Sequence, residues 1–359
     1  MNLPRLQVER RLHTSRLMST LALAVSLLLA LLAIGLVFSS LGVDPVYAYR
    51  RILRGGFGSL YGLSESLAKA IPLLLTGAGL ALAFRARVYN IGAEGQLLLG
   101  AIVGGGIALN FGHWPREVLL PVMFLGGFLG GALWAAVPAL LKARFRVDEV
   151  LTSLMLVYVA GDLVRYLVYG PWRGPEERGF PYSSRFALAA QLPHLEGTRV
   201  HYPTLLLALG LALFLYLLLE RTKLGYEIRV TGENPAAARY AGMNTDRIIV
   251  LVLLLSGGLA GMAGVGEVAG IHARLSPPEG ISPGYGFTAI IVAWLARLNP
   301  LATILTAFLI GGLLVGGDAI QVALNLPAAS IYIFNGMILL FVIAGDVFTR
   351  YRLRLELRS

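Results

Sequence analysis

The chain has 359 residues, 57% of them apolar and 14% charged, and its mean hydropathy of +0.72 excludes a soluble globular domain. Its formal net charge of +10 does not predict a nucleic-acid binder, because the basic residues lie between apolar runs, where they set orientation in a bilayer. Cysteine is absent, which excludes disulfides, thiolate metal sites and a Cys nucleophile.

Arg5, Arg10, Arg11 and Arg16 precede the first long apolar stretch, and no small-residue cleavage site closes it, so a retained first span is expected. Ten spans are predicted, near Leu17–Leu41, Leu67–Phe84, Gly95–Phe111, Val118–Leu141, Val150–Tyr169, Pro203–Leu219, Ile248–Gly270, Phe287–Leu298, Leu301–Gly317 and Ile331–Phe348. The eighth is short and poorly bounded. Small residues four apart, Gly126/Gly130, Gly127/Gly131, Gly257/Gly261 and Gly266/Gly270, predict close helix packing in a compact bundle.

Two interruptions fall at comparable places in the two halves. The first is RARVYNIGAEGQ, Arg85–Gln96; the second is HARLSPPEGISPGYGF, His272–Phe287. Five spans separate them, so they face opposite sides, as in an inverted repeat. Gly- and Pro-broken backbone at membrane depth is tolerated where protein or a water-filled cavity surrounds it. Both segments are therefore expected to line a pathway, with Asn90, Gly92, Glu94, Gln96 and Phe287 as candidate lining residues. For Glu94 two readings stand side by side: a carboxylate that caps helix N–H groups, and a hydrogen-bonding partner for a solute in transit.

Asp162 and Arg165 are three apart in the fifth span and can pair on one helix face. The loop Pro171–Tyr202 is long for a connector. Trp172, Arg173, Glu176 and Glu177 would suit docking of an extracytoplasmic protein, or they belong to a solvated loop with an interfacial Trp anchor. Farther on, Arg221–Arg247 is a polar segment between two spans. Within it Asn234 suits an N-cap, Pro235 the first helical position and Gly242 a left-handed stop, which predicts a surface helix of about two turns.

With Lys69 and Arg297, at the ends of their spans, counted with the adjoining segments, nineteen basic residues fall on the expected inner side against ten on the outer, and Arg165 lies inside a span. That bias predicts cytoplasmic termini and an even number of spans. GVGEVAG at Gly264–Gly270 follows a predicted membrane helix rather than a strand, so it is not a dinucleotide fingerprint. No GxxxxGK[ST] sequence occurs, so any ATP-driven work falls to a partner. His13, His113, His194, His201 and His272 form no ligand spacing, and no catalytic constellation or metal site is expected. An ion-coupled secondary transporter would carry ionisable groups at the bilayer midplane, where only Asp162 and Arg165 qualify. An integral-membrane enzyme would need convergent His, Asp or Glu groups, and none converge.

Four blocks carry a resemblance to a known family: PLLLTGAGLALAFRARVYNIGAEGQLLLGA (Pro72–Ala101), DEVLTSLMLVYVA (Asp148–Ala160), VTGENPAAARYAGM (Val230–Met243) and GYGFTAIIVAWLARLNP (Gly284–Pro300). In order and spacing they resemble the membrane permeases of ATP-binding-cassette (ABC) importers, in the branched-chain amino acid and simple-sugar superfamily. They are closest to the subgroup associated with nucleoside uptake; ribose-type permeases are the alternative. Arg87 stands where relatives usually have Gly, and Val157 where they often have Asn.

The resemblance implies an all-α integral membrane protein of the bacterial plasma membrane: one permease domain over residues 1–359, about ten transmembrane helices, both termini cytoplasmic. It implies that Gly232–Gly242, with Gly232, Glu233, Asn234, Pro235, Ala238, Arg239, Tyr240 and Gly242, docks into a cytoplasmic ABC ATPase. That ATPase would hold the ATP and Mg, with no cofactor on this chain. The remaining implied partners are a second permease subunit, identical or homologous, an extracytoplasmic or lipid-anchored solute-binding protein, and membrane lipid.

Overall fold

The structure, a computed structural model, describes residues 5–10, 16–40, 42–177, 179–324, 333, 336–337, 340 and 351–356. It divides into two units. One comprises Met1–Arg54 with Gly316–Ser359, the other Gly55–Val315.

In the first unit the alternating segments RLQVER and YRLRLE form strands, β1 (Arg5–Arg10) and β2 (Tyr351–Glu356), paired antiparallel with Leu6 opposite Leu355 and Val8 opposite Leu353. This ribbon is a small addition to described residues that are otherwise helical, as expected; period-two alternation suits a strand and not a helix. It also brings the two ends of the chain side by side. Helix α1 (Arg16–Ser40) is followed by α2 (Pro45–Phe57), and the pair bends by 113° at the intervening break. Asp44 starts α2, its carboxylate accepting from Val46 N–H at 2.9 Å.

The second unit is helical. Helix α3 (Leu60–Arg85) starts at Ser59, whose hydroxyl accepts from Gly62 N–H at 3.0 Å, and it is buried along nearly its whole length. Then come α4 (Ala93–Asn110), α5 (Arg116–Phe145), α6 (Glu149–Tyr169), α7 (Tyr202–Arg221), α8 (Lys223–Glu233), α9 (Pro235–Tyr240), α10 (Thr245–Glu267), α11 (Pro278–Ile281) and α12 (Tyr285–Leu295). Helix α13 spans Ala302–Leu324.

Helix α10 is the hub, packed on α5, α4 and α3. The glycine pattern explains how. A Cβ at Gly131 would lie 2.2 Å from the Gly257 carbonyl oxygen, and one at Gly261 only 2.0 Å from that of Gly127. The two backbones touch, which only glycine permits at these positions.

Among the described residues six helices are long and apolar enough to cross a membrane: α3, α5, α6, α7, α10 with its terminal turn, and α13; the bent pair of α1 and α2 would make seven. The expected eighth span is the 11-residue α12, which at 1.5 Å per residue covers about half of a hydrocarbon core. Most of the expected tenth, Ile331–Phe348, lies outside the described residues.

Candidate functional site

The two interruptions meet. After α3 the chain turns at Arg87, whose φ of +54° is the left-handed conformation that glycine adopts most easily. The turn is held from α6. Asp148 caps that helix, accepting from Val150 and Leu151 N–H at 2.7 and 3.2 Å. Buried Glu149, next along, accepts from Tyr89 N–H at 3.1 Å and from the Lys142 ammonium. One residue after Tyr89, the Asn90 amide pairs face to face with that of Gln96, at 2.7 and 2.9 Å, and Asn90 also donates to Ser256 of α10 at 3.0 Å. Both amides are buried, and this mutual pairing is what makes their burial tolerable.

Glu94 reaches to the other break. Its Oε2 accepts from the Gly286 N–H of α12 at 2.6 Å, and it is hydrogen-bonded to Ser282. The Ser282 hydroxyl in turn accepts from Tyr285 N–H at 2.9 Å. A helix N-terminus carries unsatisfied N–H groups and a partial positive charge, so a buried carboxylate is the natural cap. Of the two readings of Glu94, capping describes this geometry, although the capped helix is α12 and not its own α4. The approach is close: a Cβ at Gly286 would sit 2.2 Å from the Glu94 nitrogen. Gly92 likewise rests on α6, where a Cβ would meet Ser153 at 2.8 Å. Asn90, Gly92, Glu94 and Gln96 thus form one buried junction, while Phe287, on the first turn of α12, is 38% exposed. Val157 of α6 lies against Gly95 of the same junction, a Cβ there coming within 2.9 Å of its Cα.

Ahead of the second break α10 loosens into a π-helical turn, Val268–His272, and Ala273 takes φ +51°. Carbonyls freed at such a helix end need donors. The long loop supplies them: Leu192 N–H donates to Ala269 at 2.9 Å, Phe186 to Ala273 at 2.8 Å and Ser183 to Leu275 at 2.9 Å. His194 also bonds the Gly270 carbonyl. The loop is therefore a strap over the break, a role that its length alone did not reveal.

This placement accounts for most of the side chains considered for docking. Trp172 packs onto α4, where a Cβ at Gly106 would come within 2.9 Å of its ring. Arg173 donates to the Gly179 carbonyl at 2.6 Å. Glu177 pairs with Arg274 at 2.7 Å, and that guanidinium lies 4.0 Å from the Tyr182 ring centroid. Glu176 is exposed. Asp162 and Arg165 pair as expected, at 2.8 Å, and Arg165 also contacts Glu279 of α11. The Asp162 side chain is 77% exposed although it lies within a span.

The polar segment after α7 holds two helices where one was expected. Gly232 and Glu233 end α8, and Asn234 separates it from α9. Asn234 caps α9, accepting from Ala236 and Ala237 N–H, both at 3.1 Å, with Pro235 as first helical residue. Gly242 has φ +77°; its N–H reaches the Arg239 carbonyl, and Met243 N–H the Ala238 carbonyl, both at 3.0 Å. That paired closure is a Schellman motif. Ala238 is buried, whereas Arg239 is exposed and Tyr240 is 97% exposed. The segment is rooted at the first break, since a Cβ at Gly232 would lie 2.0 Å from the Arg85 carbonyl oxygen. A second root is Arg146, which binds Asp246 at the start of α10 with both nitrogens, at 2.6 and 3.2 Å. Neither the Glu149 clamp nor the Arg146–Asp246 fork was anticipated; a run of charges at a short helix connection was the available signal.

Residues 62–343 match the family model described as "Branched-chain amino acid transport system / permease component". The chain is 40% identical to the glucose ABC transporter permease protein TsgB13 of Haloferax volcanii, covering 91% of this chain and 88% of that one. It is 31% identical to the guanosine ABC transporter permease protein NupP of Bacillus subtilis, over 91% and 94% of the two chains. To the nucleoside ABC transporter permease protein NupB of Lactococcus lactis it is 25% identical, over 86% of each. With buried helix breaks that interlock, a capped surface helix rooted at one of them, and these matches along nearly its whole length, the chain belongs to the branched-chain amino acid transport system / permease component family, the membrane subunits of ABC importers.

Proposed function

We propose that this permease subunit imports a neutral, hydroxyl-rich solute, a nucleoside in the first reading, delivered by an extracytoplasmic or lipid-anchored binding protein. The cytoplasmic ABC ATPase binds ATP and Mg and docks on α9, through Asn234, Pro235, Arg239 and Tyr240, with Glu233 at its edge. A second permease subunit completes the pathway, in the bacterial plasma membrane with both termini cytoplasmic. Pairing of β1 with β2 supports termini on one side, and guanosine- and nucleoside-permease relatives support the solute class. The sugar reading is favoured by a different observation, the higher identity to a glucose permease.

The observation that carries the mechanism is the continuous backbone contact from the docking helix to the breaks. ATP-driven closure of the ATPases displaces α9; α8 passes the displacement through Gly232 to Arg85 at the end of α3. The first break then moves, and through Glu94 it moves the start of α12 and Phe287. The pathway is lined by the two breaks when they part, and by the exposed Asp162–Arg165–Glu279 face of α6 and α11. Charges at membrane depth are costly against lipid and stable against water or protein.

The test is uptake of labelled guanosine, adenosine, ribose and glucose by cells with and without this chain, before and after ATP depletion. Gene- and ATP-dependent nucleoside uptake supports the first reading, and the same behaviour for a sugar supports the second. Gene-dependent uptake that survives ATP depletion refutes both.

A further inference from the structure

Helix α2 has three distinct flanks. One is packed: Ala48 and Ile52 are buried, Tyr49 meets Phe38 edge-on at 6.0 Å, and the Ile52 carbonyl would stand 2.3 Å from a Cβ at Gly316. A second is apolar and open, with Val46 64% and Leu53 56% exposed. Arg50, Arg51 and Arg54 occupy the third, all exposed and with no ion pair among the described residues. At 100° per residue Arg50 and Arg54 stand one above the other, flanked by Arg51, and the apolar pair lies beside them.

A helix turned 113° from the span before it runs closer to the bilayer plane than to the normal. There its open apolar flank meets acyl chains and its guanidinium flank lies at the depth of the phosphates. Helices with this division of faces lie in the membrane interface. Three guanidiniums within two turns form a bidentate-capable phosphate cradle, which lysines would not match in geometry.

We propose that α2 is an interfacial helix that binds the headgroup of an anionic phospholipid on Arg50, Arg51 and Arg54, with Val46 and Leu53 seated among the acyl chains. The bound lipid anchors α2 where the chain leaves its first span. The 113° turn from the preceding span lays this apolar flank along the bilayer plane, and this favours lipid over an acidic protein surface.

The experiment uses the assembled transporter in nanodiscs of phosphatidylcholine with graded phosphatidylglycerol, and native mass spectrometry of the retained lipid. Wild type is expected to retain phosphatidylglycerol preferentially, with the preference falling roughly 5-fold for each arginine exchanged for glutamine. It should also weaken as salt is raised. The triple lysine variant, which keeps charge but not the fork, should retain more of the preference than the triple glutamine variant and controls for folding. Unchanged phosphatidylglycerol retention in R50Q/R51Q/R54Q overturns the proposal. So does a triple variant that keeps its lipid preference but loses affinity for the solute-binding protein, which would make α2 a protein dock.

Discussion

Glu94 separates two physical roles with one pair of substitutions. Its carboxylate is buried and accepts the Gly286 N–H at 2.6 Å. A hydrogen bond to a charged group contributes about 1.5–3 kcal/mol net, and a buried N–H left without a partner costs about 1–3 kcal/mol. These overlap in part, so Glu94→Ala should destabilise the permease by about 2–4 kcal/mol. Glu94→Gln keeps an oxygen in the same place and loses only the charge assistance, about 1 kcal/mol. The assay is thermal unfolding of the assembled transporter in nanodiscs, followed by loss of the monodisperse fluorescent peak, with uptake kinetics alongside. The expected order of stability is wild type, then Gln, then Ala, with KM unchanged and the uptake rate per folded transporter lowest in Ala, which breaks the proposed link from Glu94 to α12. If instead Glu94→Ala unfolds with wild type and raises KM for the solute, Glu94 is a solute contact and the capping argument is refuted.

Gly242→Val places a β-branched residue at φ +77°, at a strain of about 1–2 kcal/mol, and opens the Schellman closure of α9. ATP hydrolysis by the assembled transporter should persist while uptake falls, and wild-type coupling would count against α9 as the docking helix. Tyr240→Ala removes a side chain that is 97% exposed, so unfolding should stay within about 0.5 kcal/mol of wild type. Co-purification with the ATPase should nonetheless weaken about tenfold or more, as for a buried interface anchor; undiminished capture shows that Tyr240 is not an anchor. Arg274→Ala removes both the Glu177 pair and the contact over Tyr182, together worth about 1–2 kcal/mol for a partly desolvated cation. Limited proteolysis within 171–201 should accelerate, and an unchanged cleavage rate would show that backbone bonds alone hold the strap.

Local chemistry was legible wherever it depended on neighbours in sequence. Asn234, Pro235 and Gly242 predict a capped helix because each acts on its own turn of backbone, and that helix is present. Gly127/Gly131 and Gly257/Gly261 predicted close packing through their spacing, though not that they face one another. The partner of Glu94 lies 192 residues away, and no periodicity encodes such a separation. For the same reason the sequence left two readings of the loop open, docking and a solvated connector, without showing that its backbone donates to carbonyls in and just after the π-helical turn at the end of α10. The eighth span, expected to be short at Phe287–Leu298, is short, and only its limits differ, the helix running from Tyr285 to Leu295. The terminal strands were hidden by the membrane context, in which six alternating residues weigh little against long apolar runs.

The apposition of Gly232 to the Arg85 carbonyl has a mechanical consequence. Contacts between side chains have backlash, since a rotamer can swing through an ångström or more before the backbone behind it is pushed. Where Gly232 meets Arg85 there is no side chain to yield, and even a single methyl would lie 2.0 Å from the opposing oxygen. Displacement of α8 toward α3 is therefore delivered without lost motion, as in a close-packed solid. Such a joint works as a push rod and not as a spring. It transmits compression faithfully and tension poorly, so, under the proposed docking of the ATPase on α9, the stroke through it is expected to run in the direction that presses α8 onto α3, with the return driven from elsewhere in the assembly.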